Sequence, residues 1–289
     1  MKARRAVLAV LLATMASACS PLRIFNTVMP KDAGATRVAH GMPFGPDKRQ
    51  TLDVYAPRVH GAGQLAVIVF FYGGSWNSGT KEGYSFLGRA LAARGFLVVI
   101  PDYRLVPQVR YPAFLQDNAE AVRWIRSHVS EWGGDPDRLI LAGHSAGAYN
   151  AAMLALDPHW LGQDRRAVKG LIGLAGPYDF LPFKGPVVEK AFAGVADPVA
   201  TQPVHYAHRG DPPAFLATGD KDTLVLPRNS DALAEGLRSH DVLVERRRYP
   251  GVGHVGLITA VAKPLRGHAN VLEDMTAFAR KVTDGPERM

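Results

Sequence analysis

The chain has 289 residues, 47% of them hydrophobic and 21% charged, with one Cys and a formal charge of +8. This composition fits one large globular α/β domain and excludes a disulfide-stapled scaffold, since a single Cys cannot pair within its own chain. The basic residues are scattered with no aromatic-interleaved basic patch, so nucleic acid is not an expected partner.

The opening residues read as an export signal. Lys2, Arg4 and Arg5 precede an apolar stretch, residues 6–15, that is too short to span a bilayer, and Ala16-Ser17-Ala18 offers a small-residue cleavage site. Residues 1–18 are therefore read as a signal peptide. Two readings of the junction stay open. Cleavage after Ala18 would release a periplasmic protein. Alternatively, Ser17-Ala18-Cys19 resembles a bacterial lipoprotein box, with Ala16 where Leu is usual, which makes Cys19 a lipidation site and a point of membrane attachment. Residues 19–36 read as a tether, and 37–289 as the folded domain.

Residues 50–56 alternate polar and apolar side chains, the mark of an outer antiparallel strand. Residues 65–71, 96–100, 139–142, 168–174 and 214–218 are continuous apolar runs, as in parallel strands buried on both faces. A sixth run, 242–249, carries Arg246-Arg247-Arg248 and reads as a solvated strand edge. Helical spacing fills the gaps at 83–94, 114–132, 146–156, 228–240 and 269–280. In the longest of these, Ala121, Val122, Ile125, Val129 and Trp132 share one face, and Gly133-Gly134 ends it. Strands alternating with helices imply a mainly parallel sheet covered on both faces. Residues 177–213 break the rhythm with seven prolines and read as a cap inserted over the site.

Gly143-His144-Ser145-Ala146-Gly147 matches the G-x-S-x-G elbow, a turn in which the chain leaves a strand and enters a helix with the Ser hydroxyl held out. The buried run before it and the helical spacing after it are the context this motif requires. A serine hydroxyl is a weak nucleophile at neutral pH and needs a base oriented by a carboxylate, here in the chain order Ser, acid, His. His254, in the loop Pro250-Gly251-Val252-Gly253-His254 after the last strand, is the favoured base; His268 also follows that strand but falls at the last helix. The acid comes from Gly219-Asp220-Lys221-Asp222-Thr223, with Asp222 favoured and Asp220 its rival. The negative oxygen of a tetrahedral intermediate needs N–H donors. Ala146 supplies one, and Gly74 and Ser75 in Tyr72-Gly73-Gly74-Ser75-Trp76 supply the other, with Gly73 shaping the loop. Tyr72, Trp76 and Tyr103 are candidate walls of the substrate pocket, as is Phe180; His144 is expected to pack beside the sheet. No metal spacing is present, and His205 and His208 read as surface residues of the cap.

These residues resemble the esterase and lipase group of α/β hydrolases related to hormone-sensitive lipase, above all its small carboxylesterase and feruloyl-esterase-like branch, which shares features with kynurenine formamidases. The resemblance spans about residues 50–283. It is carried by Gly73, Gly74 and Trp76 of the oxyanion loop, by Pro101-Asp102-Tyr103-Arg104-Leu105, by Gly133-Gly134-Asp135-Pro136, and by the acid pattern Gly219-x-x-Asp222-x-x-Val225. The departure is Tyr72, where that group usually has His. The resemblance implies an α/β-hydrolase fold, with a mostly parallel central sheet, helices on both faces and a short cap. It also implies an esterase of small to medium acyl groups that needs no cofactor and takes a small-molecule ester. An arylformamidase with the same triad, or a catalytically idle binding protein on the same scaffold, are the alternatives. Oligomeric state is not legible.

Overall fold

The apolar runs pair as adjacent strands of one eight-stranded sheet in the computed structural model, which describes residues 21–284. The signal peptide and Cys19 lie outside the described residues. In chain order the elements are α1 (Pro21–Val28), β1 (Ala35–Pro43), β2 (Thr51–Pro57), β3 (Leu65–Phe71), α2 (Ser85–Ala92), β4 (Leu97–Pro101), α3 (Ala113–His128), β5 (Gly134–His144), α4 (Ala146–Leu156) and α5 (Pro158–Leu161). There follow β6 (Val168–Leu174), α6 (Pro186–Ala191), β7 (Ala214–Gly219), α7 (Arg228–Arg238), β8 (Val244–Tyr249), α8 (His254–Thr259) and α9 (Val271–Thr283).

The strand order is β1-β2-β4-β3-β5-β6-β7-β8. Strand β2 runs antiparallel to both β1 and β4, and every pairing from β4 through β8 is parallel. This is the α/β-hydrolase fold, and the parallel strands owe it to their composition. Six consecutive residues of β5, Leu139 to His144, are buried, which requires cover on both faces of the sheet. Helix α4 lies against β3, β5 and β6, while α9 lies against β5 and β6 and touches α2. Every residue of α4 is buried, so it is a core helix whose many alanines let it approach the sheet closely. Helix α3 buries Phe114, Leu115, Ala121, Val122 and Ile125 at helical spacing, and its following turn ends at Gly133 with φ 78°.

Strand β8 is the edge of the sheet, as the basic run suggested. Arg246 is the exception to a fully solvated row. Its side chain is 9% exposed and reaches Asp231 Oδ1 at 3.0 Å and Thr218 Oγ1 at 2.7 Å.

The stretch expected as a tether is docked over its described part. Asn26 Nδ2 donates to Glu82 O at 2.8 Å, and its Oδ1 accepts from Ser85 Oγ and Phe86 N at 2.9 Å each, which fixes α1 to the start of α2. The Phe25 ring stands edge-on to Phe86 with centroids 5.2 Å apart. Strand β1 begins at Ala35, ahead of the first strand expected from the sequence, 50–56. Its register against β2 breaks between Arg37 and Ala39 and again between Ala39 and Met42, so it shows no clean period of two.

The proline-rich segment 177–213 holds α6 and two single turns, Val199–Thr201 and Pro203–Tyr206. It is tied down by backbone bonds. Asn229 Oδ1 accepts from Tyr178 N and Asp179 N, Gln202 Oε1 accepts from Phe180 N, and Ala191 O accepts from Tyr111 N.

A Cβ built on Gly147 would fall 2.0 Å from Phe71 O, a backbone atom with no room to yield. Gly147→Ala is therefore expected to cost at least about 2 kcal/mol, read as a lower urea midpoint at unchanged slope. Gly61→Ala, where a Cβ meets nothing within 4 Å, should leave the midpoint close to wild type.

Candidate active site

Strands β3, β5 and β6 end side by side, with Phe71 opposite Gly143 and His144 opposite Leu174. Ligand sites in open α/β sheets form at this carboxyl edge. Ser145 follows β5 directly at φ 57° and ψ −126°, a conformation costing a non-glycine residue about 1–3 kcal/mol. Its surroundings hold it there. Ser145 N donates to Leu174 O at 2.8 Å, and its carbonyl accepts from Ala148 N at 2.9 Å and Tyr149 N at 3.1 Å. The flanking glycines make the turn possible, because a Cβ on Gly143 would lie 2.2 Å from Gly147 O. The Ser145 side chain stands at the N-terminus of α4, where the N–H groups of the first turn point outward.

Asp222, in the turn after β7, meets His254, which opens a short helix after β8. His254 Nδ1 lies 2.7 Å from Asp222 Oδ2, and Asp222 Oδ1 accepts from Leu224 N at 3.0 Å and Val225 N at 2.9 Å. Burial works against the Asp222 carboxylate, but the bonds from the His254 ring and from Val225 and Leu224 N–H hold its pKa below the usual carboxylate range. Asp220 does other work. Its Oδ1 accepts from Gly251 N at 2.7 Å, and the same two stretches are joined by Asp220 N to Tyr249 O and Lys221 N to Val252 O. His254 is the first residue of α8, so a helix, and not a loose loop, presents its ring.

His144 adds a further tie. Its Nε2 lies 3.2 Å from the carbonyl oxygen of His254, which makes Nε2 the protonated nitrogen, and the two rings sit 4.8 Å apart. His144 is buried, and burial followed by the neighbouring His254 pushes its pKa down to about 3. Sequence reasoning assigned it only packing; the signal for this bond lies in three dimensions alone.

In the loop after β3, Gly74 O accepts from Asn77 N and Ser78 N at 3.0 Å each and from Ser78 Oγ at 3.1 Å. A trans peptide points its N–H opposite its C=O, so pinning this carbonyl turns Ser75 N–H the other way. Gly74 N and Ser75 N have no hydrogen-bond partner among the described residues, whereas Gly73 N donates to Tyr84 Oη at 3.2 Å and is spent on shaping the loop.

Two cavities meet at Ser145. One, of about 240 Å³, has Ser75, Trp76 and Ala146 beside Ser145 and is walled by the 177–213 segment through Phe180 and Leu181. The other, of about 150 Å³, contains His254, His144, Gly73 and Gly74 and is closed at one side by Leu22 of α1. No hydrogen bond joins Ser145 Oγ to the His254 ring among the described residues, although both line the smaller cavity.

The structure thus brings Ser145, Asp222, His254, Gly74, Ser75, Ala146 and Trp76 together. It corrects two candidate pocket walls. Tyr72 is fully buried away from both cavities, and its hydroxyl accepts from an Arg49 Nη at 2.8 Å. Tyr103 stacks on Tyr72 at 4.8 Å and donates to Tyr72 O at 2.9 Å. Both belong to the support beneath the oxyanion loop. Trp76 does line the larger cavity, and its indole N–H donates to Asn150 Oδ1 at 3.0 Å.

The BD-FAE family model matches residues 52–237. Among curated proteins, "Esterase LipC" of Mycobacterium tuberculosis is 29% identical over 236 residues, 73% of this chain and 58% of its own length. The isoprenylcysteine alpha-carbonyl methylesterase ICME of Arabidopsis thaliana is 28% identical over 266 residues, 82% of this chain and 61% of its own length. The chain thus spans about three fifths of the length of these relatives. Among solved structures, esterase B from Lactobacillus rhamnosis superposes with a TM-score of 0.80 at 20% identity, covering 96% of this chain and 97% of that one. Thermogutta terrifontis esterase 2 superposes with a TM-score of 0.70 at 23% identity, covering 86% and 95%. At these identities the two structures bear on the fold.

The buried His144 makes stability pH-dependent with a definite sign. Its folded pKa lies below its unfolded value of 6.5, so below pH 6.5 the unfolded chain takes up a proton that the folded one refuses. Stability falls with acidity across pH 6.5 to about 3, by up to about 1.4 kcal/mol per pH unit. His144→Gln should flatten this fall by close to one proton, measured as urea midpoints at pH 4, 5, 6 and 7.

Proposed function

The chain belongs to the BD-FAE family, and on that footing we propose that it is a serine carboxylesterase acting on small to medium acyl esters through Ser145, His254 and Asp222. The observation that carries the proposal is a serine held at positive φ between unpartnered N–H groups and a cavity it shares with an Asp-paired imidazole. The esterase names of its relatives support the substrate class.

The reaction runs in two halves. His254 Nε2 takes the proton of Ser145 Oγ as that oxygen attacks the ester carbonyl, the hydroxyl turning toward the ring as substrate seats. Ala146 N–H, with Ser75 or Gly74 N–H, receives the oxyanion. Asp222 keeps the proton of the ring on Nδ1 and stabilises the imidazolium that forms. The tetrahedral centre collapses, the alcohol leaves with the proton from His254, and a water activated by the same ring releases the acid from Ser145. Every group in this scheme belongs to the chain itself.

A fluorophosphonate probe should label the wild type and not Ser145→Ala, and a folded wild type that stays unlabelled and cleaves no p-nitrophenyl acetate or butyrate would overturn the proposal. Asp222→Asn should lower kcat on p-nitrophenyl butyrate by roughly 10³- to 10⁴-fold, because the amide no longer fixes the imidazole tautomer. Asp220→Asn, which touches only the Gly251 turn, should stay within about tenfold of wild type.

A further inference from the structure

The two cavities at Ser145 are chemically unequal, and the mechanism decides which fragment of the ester each receives. His254 must hand its proton to the departing alkoxide, so the alcohol lies on the side that His254 lines, the cavity of about 150 Å³. The acyl group then occupies the larger cavity, about 240 Å³, under the 177–213 segment.

That acyl cavity is apolar at its inner end, where Trp76 and Phe180 stand, and cationic at its rim. Lys184 and Arg228 line it, and no Asp or Glu does. Both are exposed. Lys184 has no ion pair or hydrogen bond among the described residues, and Arg228 meets only Asp179 at 3.9 Å. One unpaired cation and one held only loosely by a carboxylate, both at the mouth of an apolar cavity, give that mouth a positive potential that draws anions. An alkyl chain alone would leave both unused.

Resting on the esterase reading, we infer that the preferred substrate is an ester whose acyl arm ends in a carboxylate, as in a monoester of a medium dicarboxylic acid, with that carboxylate held between Lys184 and Arg228. The apolar chain fills the cavity while the carboxylate stays at the solvated rim, so no charge has to be buried.

The test compares mono-p-nitrophenyl adipate with p-nitrophenyl hexanoate, which differ at the far end of the acyl chain. At low ionic strength the wild type should show at least about fivefold higher kcat/KM on the adipate. Lys184→Ala and Arg228→Ala should each lower the adipate-to-hexanoate ratio about threefold, the size expected of an exposed charge pair. The charge-reversed Lys184→Glu/Arg228→Glu should invert the preference, so that the adipate-to-hexanoate ratio falls below one. Lys263→Ala, an exposed cation away from both cavities, should leave the ratio alone. Turnover of 4-acetoxybenzoate, whose carboxylate sits on the leaving group, should not show the selective loss seen with the adipate when Lys184 and Arg228 are both replaced by Ala. A wild-type ratio of one or less overturns the inference, as does a ratio that survives Lys184→Ala/Arg228→Ala and disappears only with salt. Failure to cleave either ester, together with absent fluorophosphonate labelling, strikes instead at the esterase reading beneath it.

Discussion

The close approach of α4 to the end of β3 is the constraint on which the site depends. Gly147 has to lie against Phe71 O, and Gly143 against Gly147 O, with no space for a Cβ at either contact. Only with the helix this near can the chain turn from β5 into α4 within one residue, and that residue, Ser145, takes the strain. The strain is sustained because the same turn gives Ser145 N and O three backbone partners. A longer turn would relieve Ser145 and withdraw its hydroxyl from the helix N-terminus. Packing in the core and chemistry at the surface are here one geometric fact.

The other half of the site is a problem of registering two distant loops. Residues 220–222 follow β7 and residues 250–253 follow β8, and neither stretch has regular secondary structure to hold it. Asp220 joins them through Gly251 N, Lys221 N reaches Val252 O, and His144 reaches past the elbow to the carbonyl of His254. The two aspartates therefore divide the labour. Asp220 holds the loops together, and Asp222, buried and fed by two backbone N–H groups, stays ionised beside the imidazole. Keeping His144 neutral belongs to the same arrangement, since a second imidazolium 4.8 Å from the His254 ring would oppose any positive charge forming there.

The legible parts of this molecule are those set by local rules. Continuous apolar runs marked the parallel strands, and the bounds 65–71, 168–174 and 146–156 match β3, β6 and α4. The elbow was legible because its glycines answer a steric demand, and the meeting of Asp222 with His254 because both were sought in the segments that follow particular strands. What escaped is set by tertiary contact. Helix α1 is short and stands only because Asn26 and Phe25 find partners at the start of α2, some 60 residues on. Strand β1 hides its alternation in two register breaks. Tyr72 and Tyr103 sit in the segments that end beside the site, and nothing in their identity tells which way a ring turns.

Their inward turn gives Tyr72 a structural place at the head of the 72–79 loop. Tyr72 stacks between Tyr84 and Tyr103, and Arg49 ties the assembly together, donating to the Tyr72 hydroxyl, to Gly79 O and to Tyr103 O. Beneath it Asp102, raised by burial and opposed by Lys81, accepts from both the backbone and the ammonium of Lys81. Loop residues 72, 73 and 79 are thus gripped from below through Arg49, Tyr84 and Tyr103, while the N–H groups of Gly74 and Ser75 have no partner among the described residues. The donors are backbone groups, so the identity of residue 72 matters only through the anchor it makes. A phenol bound to a half-buried guanidinium makes one, and it holds the loop from which the unpartnered N–H groups of Gly74 and Ser75 project.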